Sequence, residues 1–205
     1  MTWEILNIIG TIAFAISGAI IAMEEDYDIL GVFVLGFTTA FGGSTIRNLL
    51  IGIPVEDIWT QGELFVVIFV VLTIVFLLPK QWIQYWKQWG IFFDALGLAS
   101  FSIQGALHAV GIDAPLSAVL VASTLTGSGG GMLRDVFAGR KPMIFRAEIY
   151  ALWATLAGLV VGFGWINGPL AIAMLYVFIV GLRMLSVFFK WRLPRHSLTG
   201  SSDSR

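Results

Sequence analysis

Cysteine is absent from this 205-residue chain, which removes disulfides, thiol nucleophiles and thiolate metal sites together. Histidine is nearly absent: His108 and His196 are the only two, too far apart to suggest a metal centre. Charge is scarce as well. Only 12% of residues are Asp, Glu, Lys or Arg, against roughly 25% in ordinary globular domains. A net charge of −1 gives no reason to expect nucleic-acid binding. No nucleophile–base set or metal-ligand spacing occurs, so no enzymatic activity, cofactor or metal is expected. The glycine-rich stretch 127–131 is no phosphate loop, since it lacks the following lysine and a preceding strand. The amino end, Met1-Thr2-Trp3-Glu4, lacks the positive flank of a secretory signal peptide, so the first apolar run is expected to be retained.

What is present is apolar. Hydrophobic residues make up 58% of the chain, and the mean hydropathy is +0.88. That composition describes an integral membrane protein, read here as one domain over 1–194. A polar, serine-rich tail at 195–205 is expected to be disordered. The long runs are continuously apolar, unlike the alternating strands of a barrel, so the spans are helices. Crossing a bilayer takes about 20 residues. Seven runs qualify, at about 5–23, 29–50, 64–78, 91–110, 115–138, 149–166 and 169–191. Charges and helix breakers separate them, among them Glu24-Glu25-Asp26, Pro54, Pro79-Lys80, Asp113, Arg140-Lys141-Pro142 and Asn167-Gly168.

The chain also repeats itself. Gly42-Gly43-Ser44-Thr45-Ile46-Arg47-Asn48 returns 87 residues later as Gly129-Gly130-Gly131-Met132-Leu133-Arg134-Asp135. The same offset pairs Gly10 with Gly97, Phe14 with Phe101, Gly18 with Gly105, Thr39 with Thr126 and Gly52 with Gly139. Each copy holds three spans (about 5–79 and about 90–166), and an odd number forces the second copy to enter from the opposite side. The predicted fold is all-α: seven transmembrane helices, built as two inverted three-helix repeats plus a seventh helix. Broken helices in repeated halves point to a transport site.

Orientation follows from the basic residues. Lys80, Lys87, Arg140, Lys141, Arg146, Lys190, Arg192 and Arg195 fall on one side, which the positive-inside rule makes cytoplasmic. The C-terminus is then inside and the N-terminus outside, in a bacterial or archaeal cell membrane. Arg47 lies towards the outer mouth and Arg134 towards the cytoplasmic one.

The small triplets Gly42-Gly43-Ser44 and Gly129-Gly130-Gly131 weaken a helix, since glycine costs about 1 kcal/mol against alanine. Two readings compete: kinks facing an aqueous path, or close helix packing. Recurrence of the triplets, and Thr38, Thr39, Thr45, Ser123, Thr124, Thr126 and Ser128 around them, favour the aqueous path. Arg47 and Arg134 are the strongest single residues, because an arginine near a span centre costs about 2.5–3.5 kcal/mol and faces protein or water. Snorkelling to headgroups is the plainer alternative. Asn48, Asp135, Glu63 and Glu148 are the nearest candidate acceptors. Asp94 reads as an interfacial residue, Gln104 as an interhelical hydrogen-bond partner and His108 as an interfacial histidine. Arg183 sits inside an otherwise lipid-facing helix without an evident reason. Trp82, Tyr85, Trp86 and Trp89 read as an interfacial aromatic belt.

In Gly-Gly-Ser-Thr-Ile-Arg-Asn-Leu-Leu-Ile-Gly and Gly-Ser-Gly-Gly-Gly-Met-Leu-Arg-Asp-Val-Phe-Ala-Gly-Arg-Lys-Pro, over about residues 5–190, the chain resembles the prokaryotic trimeric intracellular cation (TRIC) channels. The resemblance implies a homotrimer with a pore in each subunit, passing monovalent cations, chiefly potassium and with sodium a further candidate. It implies that spans two and five line that pore at the two triplets. Ser44 departs from an all-glycine pattern and either narrows the path or adds a hydroxyl ligand. Two arginines at the mouths repel cations, so Arg47 and Arg134 are expected to be latched by acceptors such as Asp135 or freed helix carbonyls. Some bacterial relatives carry the label of glycine transporters, and a secondary transporter of a small solute such as glycine is the competing reading.

Overall fold

The computed structural model describes residues 2–79, 89–145 and 149–191. Lys80, Lys87, Arg146, Glu148, the Trp82–Trp86 part of the aromatic belt and the tail after 191 lie outside the described residues.

Seven α-helices are described: α1 Thr2–Glu24, α2 Ile29–Ile51, α3 Gly62–Leu77, α4 Gly90–Gly111, α5 Leu116–Phe137, α6 Ala151–Gly162 and α7 Pro169–Phe188. No strand occurs among the described residues. Six of the seven are long and apolar enough to cross a membrane, α3 doing so together with the 3₁₀ turn Val55–Gln61 that leads into it. The predicted spans and the helices agree to within a few residues, with one exception. The sixth run was expected over 149–166, but α6 is 12 residues long. At 1.5 Å per residue it is about 18 Å long, short of the roughly 30 Å hydrocarbon core. The chain leaves the helix at Gly164, which takes a positive φ of 67°.

Local chemistry sets the ends of the central helices. The Asp28 carboxylate accepts from the Gly31 N–H at 2.8 Å and caps α2. Both repeats stop their second helix in the same way. Gly52 (φ 73°) and its counterpart Gly139 (φ 68°) adopt the left-handed conformation that a Cβ disfavours. Behind each, the chain closes a wide turn: Ile53 N–H donates to Asn48 O at 3.0 Å, and Arg140 N–H to Asp135 O at 2.7 Å. The repeat is therefore legible in backbone geometry as well as in letters.

The molecule is a two-shell bundle. α1, α2, α4 and α5 form the centre: 67% of the span residues of α1 and α4 are buried, against 17% for α3 and 22% for α7. One apolar core joins α1, α2 and α3 through Ile20, Val32, Leu35, Ile68 and Leu72. Its counterpart joins α4, α5, α6 and α7 through Ile103, Ala106, Ala122, Ala157 and Ile179. Between the two cores α2 meets α5, and that seam holds the repeated motif.

Candidate functional site

α2 and α5 touch backbone to backbone. A Cβ on Gly43 would overlap the carbonyl oxygen of Thr126, and one on Gly130 would overlap the carbonyl oxygen of Thr39. The 87-residue offset exchanges these two contacts, as a pseudo-two-fold axis between the repeats requires. Gly129 faces Ile46 and Gly43, while Gly42 faces Leu133 and Gly130, so the helices run antiparallel. Each triplet lies inside a continuous helix. At Gly43 and Gly130 the absence of a Cβ lets the two backbones touch.

The hydroxyls around this seam are largely committed. Thr39, Thr126 and Ser128 donate to carbonyls one turn back, Leu35 O, Ala122 O and Thr124 O, at 2.6, 2.5 and 2.6 Å. Ser44 and Thr45 both donate to Phe41 O, at 3.0 and 2.9 Å. Such back-bonding satisfies a hydroxyl within its own helix. Ser123 turns away from α2, reaching Ser102 O on α4 and Ala154 O on α6. Thr124 shares a hydrogen bond with Thr155 of α6 at 2.9 Å. Thr38 is half-buried. Of the predicted lining residues, Ser44 is the one that reaches a cavity beside an arginine at the α2 end.

A charged cavity lies at each end of the seam. The Arg134 cavity, about 260 Å³, is bounded by Ser17, Glu24, Arg134, Asp135, Arg140 and Lys141 together with apolar side chains. Its arginine is 1% exposed and fully engaged. Arg134 Nη1 donates to Asp94 Oδ1 at 2.7 Å and to Ser17 Oγ at 2.6 Å. Its Nε donates to Asp135 Oδ1 at 2.9 Å. The other Asp135 oxygen accepts from Met143 N–H at 3.0 Å, which fixes the loop after α5. At the rim Arg140 bridges to Glu24 at 2.9 Å and also binds Glu25. Partial burial works against its charge, but the hydrogen bonds and charges of the two glutamates outweigh it and raise its pKa.

The Arg47 cavity, about 240 Å³, is bounded by Asn7, Ser44, Arg47, Asn48, Asp57, Thr60, Gln61, Gln104 and His108, with Ile53. Here Arg47 Nε and Nη2 both donate to Asn48 Oδ1, at 3.0 and 2.8 Å. The Asn48 amide nitrogen donates to Pro54 O at 3.1 Å, and that of Asn7 to Gln61 Oε1 at 2.8 Å. Among the described residues no carboxylate lies within ion-pair distance of Arg47. Glu63, a candidate acceptor, does not pair with it.

Two further expectations are corrected. Asp94 is not interfacial: it is wholly buried and clamps Arg134. Gln104 makes no interhelical bond through its amide nitrogen, which has no partner. Sequence reasoning missed Asn7 and Ser17 as site residues, although the offset that pairs Arg47 with Arg134 also pairs Asn7 with Asp94 and Ser17 with Gln104. Arg183 of α7 has a place too: its wholly buried guanidinium lies 4.8 Å from the centre of the Tyr150 ring of the second repeat.

Between the cavities the seam is filled. Phe14 and its counterpart Phe101 are buried with ring centroids 5.3 Å apart. Phe14 also lies against Gly130.

Comparison with known proteins bears on this arrangement. The family model described as Glycine transporter matches the chain twice, at 4–80 and 91–165, and the two matches start 87 residues apart. The UPF0126 membrane protein YvgT of Bacillus subtilis is 56% identical over 96% of this chain and 98% of its own length. A TRIC cation channel of solved structure superposes with a TM-score of 0.83 at 32% identity, covering 97% of this chain and 98% of that one. A TRIC orthologue from Rhodobacter sphaeroides gives a TM-score of 0.77 at 27% identity, over 92% and 98% of the two chains. An integral membrane protein of two inverted three-helix repeats and a seventh helix is thus the class defined here. The chain belongs to the family described as Glycine transporter, and it is similar over nearly its whole length to a UPF0126 membrane protein and to a TRIC cation channel.

Proposed function

We propose that this protein is a monovalent-cation channel, chiefly for potassium, with a path inside each subunit between α2 and α5. The observation that carries the reading is the pair of charged cavities at opposite ends of one seam, in a chain similar over nearly its whole length to a TRIC cation channel. In this reading the described state is shut at the waist, where Gly43 and Gly130 bring the backbones together and Phe14 fills the remaining space. Opening separates α2 from α5, exposing the Thr39 and Thr126 carbonyls that the glycines now cover. Such carbonyls are suitable ligands for a dehydrating cation. Arg47 and Arg134 act as latches at the two mouths, with Asp135 and Asp94 holding the second. The N-terminus is outside, the C-terminus is cytoplasmic, and three subunits assemble in the cell membrane.

A second reading is secondary transport of a small solute such as glycine. The family's description favours it, as do two cavities on either side of a closed waist, the arrangement that alternating access uses. Purified protein in planar bilayers separates the two. Discrete unitary potassium currents are the expected result. Saturable glycine uptake into vesicles, with no unitary events in the bilayer, would replace the channel by the transporter.

A further inference from the structure

The two ends of the seam are related by sequence but not by charge. At one end Arg134 lies between two carboxylates, Asp94 and Asp135. The offset of 87 turns them into Asn7 and Asn48, so both acids are amides at the other end. Ser17, a third acceptor for Arg134, becomes Gln104. Arg47 is nevertheless 5% exposed, and its Nη1 has no partner. Gln104, 2% exposed, likewise leaves its Nε2 without one. Both residues line the same cavity of about 240 Å³. A buried cation without a counter-charge and buried N–H groups without acceptors are each costly. One ligand relieves all three costs if it carries negative charge and lone pairs.

We infer that this cavity is a binding site for one small monovalent anion, held by Arg47 Nη1 and Gln104 Nε2. Four further donors on its wall have partners: Asn7 in Gln61, Asn48 in Pro54, Ser44 in Phe41 and Thr60 in Asp57 O. Asp57, the other charged group on the wall, makes no ion pair with Arg47. Its negative charge repels a second negative charge on the ligand and so disfavours dianions. The anion is either a free halide or the carboxylate of an amino-acid-sized solute, whose ammonium would then meet Asp57. Binding of the anion does not depend on what the protein conducts. Its consequence, that a neutralised Arg47 eases cation entry at this mouth, rests on the channel reading.

The test uses the full chain in detergent, with bromide exchanged for a bulky sulfonate at constant ionic strength. Bromide should raise the Tm by mass action, and crystals should show one anomalous peak against Arg47 and Gln104. Asn48→Asp recreates at Arg47 the acid that holds Arg134, so it should abolish the bromide response while the protein stays folded. Gln104→Leu should weaken the response by about tenfold. Equal responses in the parent and Asn48→Asp proteins, or no peak at Arg47, would overturn the site. Displacement of bromide by glycine but not by glycinamide identifies a carboxylate as the occupant; retention of bromide in both identifies a halide. None of these readouts involves current, so a silent bilayer and an empty cavity remain separate failures.

Discussion

Arg134 and Arg47 differ in what removing a neighbour should do. Asp94 takes a 2.7 Å ion pair from a guanidinium that water does not reach. Breaking a buried pair costs about 3–5 kcal/mol. Asp94→Asn should therefore lower stability in detergent by about 3 kcal/mol, the lower end because Asp135 remains. Asn7→Ala, at the equivalent position, removes a neutral hydrogen bond and should cost about 1 kcal/mol. Equal losses would mean that Arg134 does not depend on its carboxylate. Function should divide the arginines as well. Single-channel recordings of Arg47→Ala and Arg134→Ala test the latch, and unchanged open probability and conductance in both would remove it. The two arginines were legible in the sequence because each ends a repeated motif. The change from Asp135 to Asn48 was legible in the same motif, but the part of Asp94 was not, because it precedes Arg134 by 40 residues and only the folded bundle brings them together.

At the scale of helices, the α2–α5 seam depends on two positions that cannot carry a side chain. Gly43 and Gly130 each sit against the opposing helix's carbonyl, whereas Gly52 and Gly139 sit in open turns. Gly43→Ala and Gly130→Ala must push the helices apart, and overpacking of this kind costs about 1–3 kcal/mol. Thermal unfolding of the two variants should show similar losses, since the pseudo-two-fold axis makes the sites equivalent. A loss at one glycine and none at the other would deny that equivalence. The sequence showed that the triplets mattered and that they recurred. It left open whether small residues served a kink or a contact, since both demand the absence of a Cβ. The hydroxyls are ambiguous for a related reason: a serine or threonine on a membrane helix can satisfy itself one turn back, as Thr39 and Thr126 do. Helix boundaries were legible because the separators are charged or glycine-rich. α6 fell short of its predicted span because hydropathy continues through Phe163 and Trp165 after the helix has ended.

For the whole molecule, the distribution of burial bears on assembly. α3 and α7 are as apolar as α1, yet they bury 17% and 22% of their spans where α1 buries 67%. Their outer faces carry Val66, Phe69, Val70 and Ile74, and Leu170, Met174, Val177 and Phe178, all exposed. Lipid covers such faces as readily as protein does, since acyl chains are as apolar as leucine. Apolarity alone therefore does not argue for a trimer, and the proposal of three subunits rests on likeness to the TRIC channels. Light scattering of the detergent-purified protein, with the detergent mass subtracted, should give three times the 22.4 kDa subunit. A single subunit mass would confine the protein to one seam and two cavities. The channel reading would survive that result, because both arginines, both cavities and the waist belong to one chain. Mixing subunits gives the sharper measurement. If each holds its own path, a trimer with one Arg47→Ala subunit should show two conductance steps of parental size and one altered, whereas a shared central pore would show one blended size.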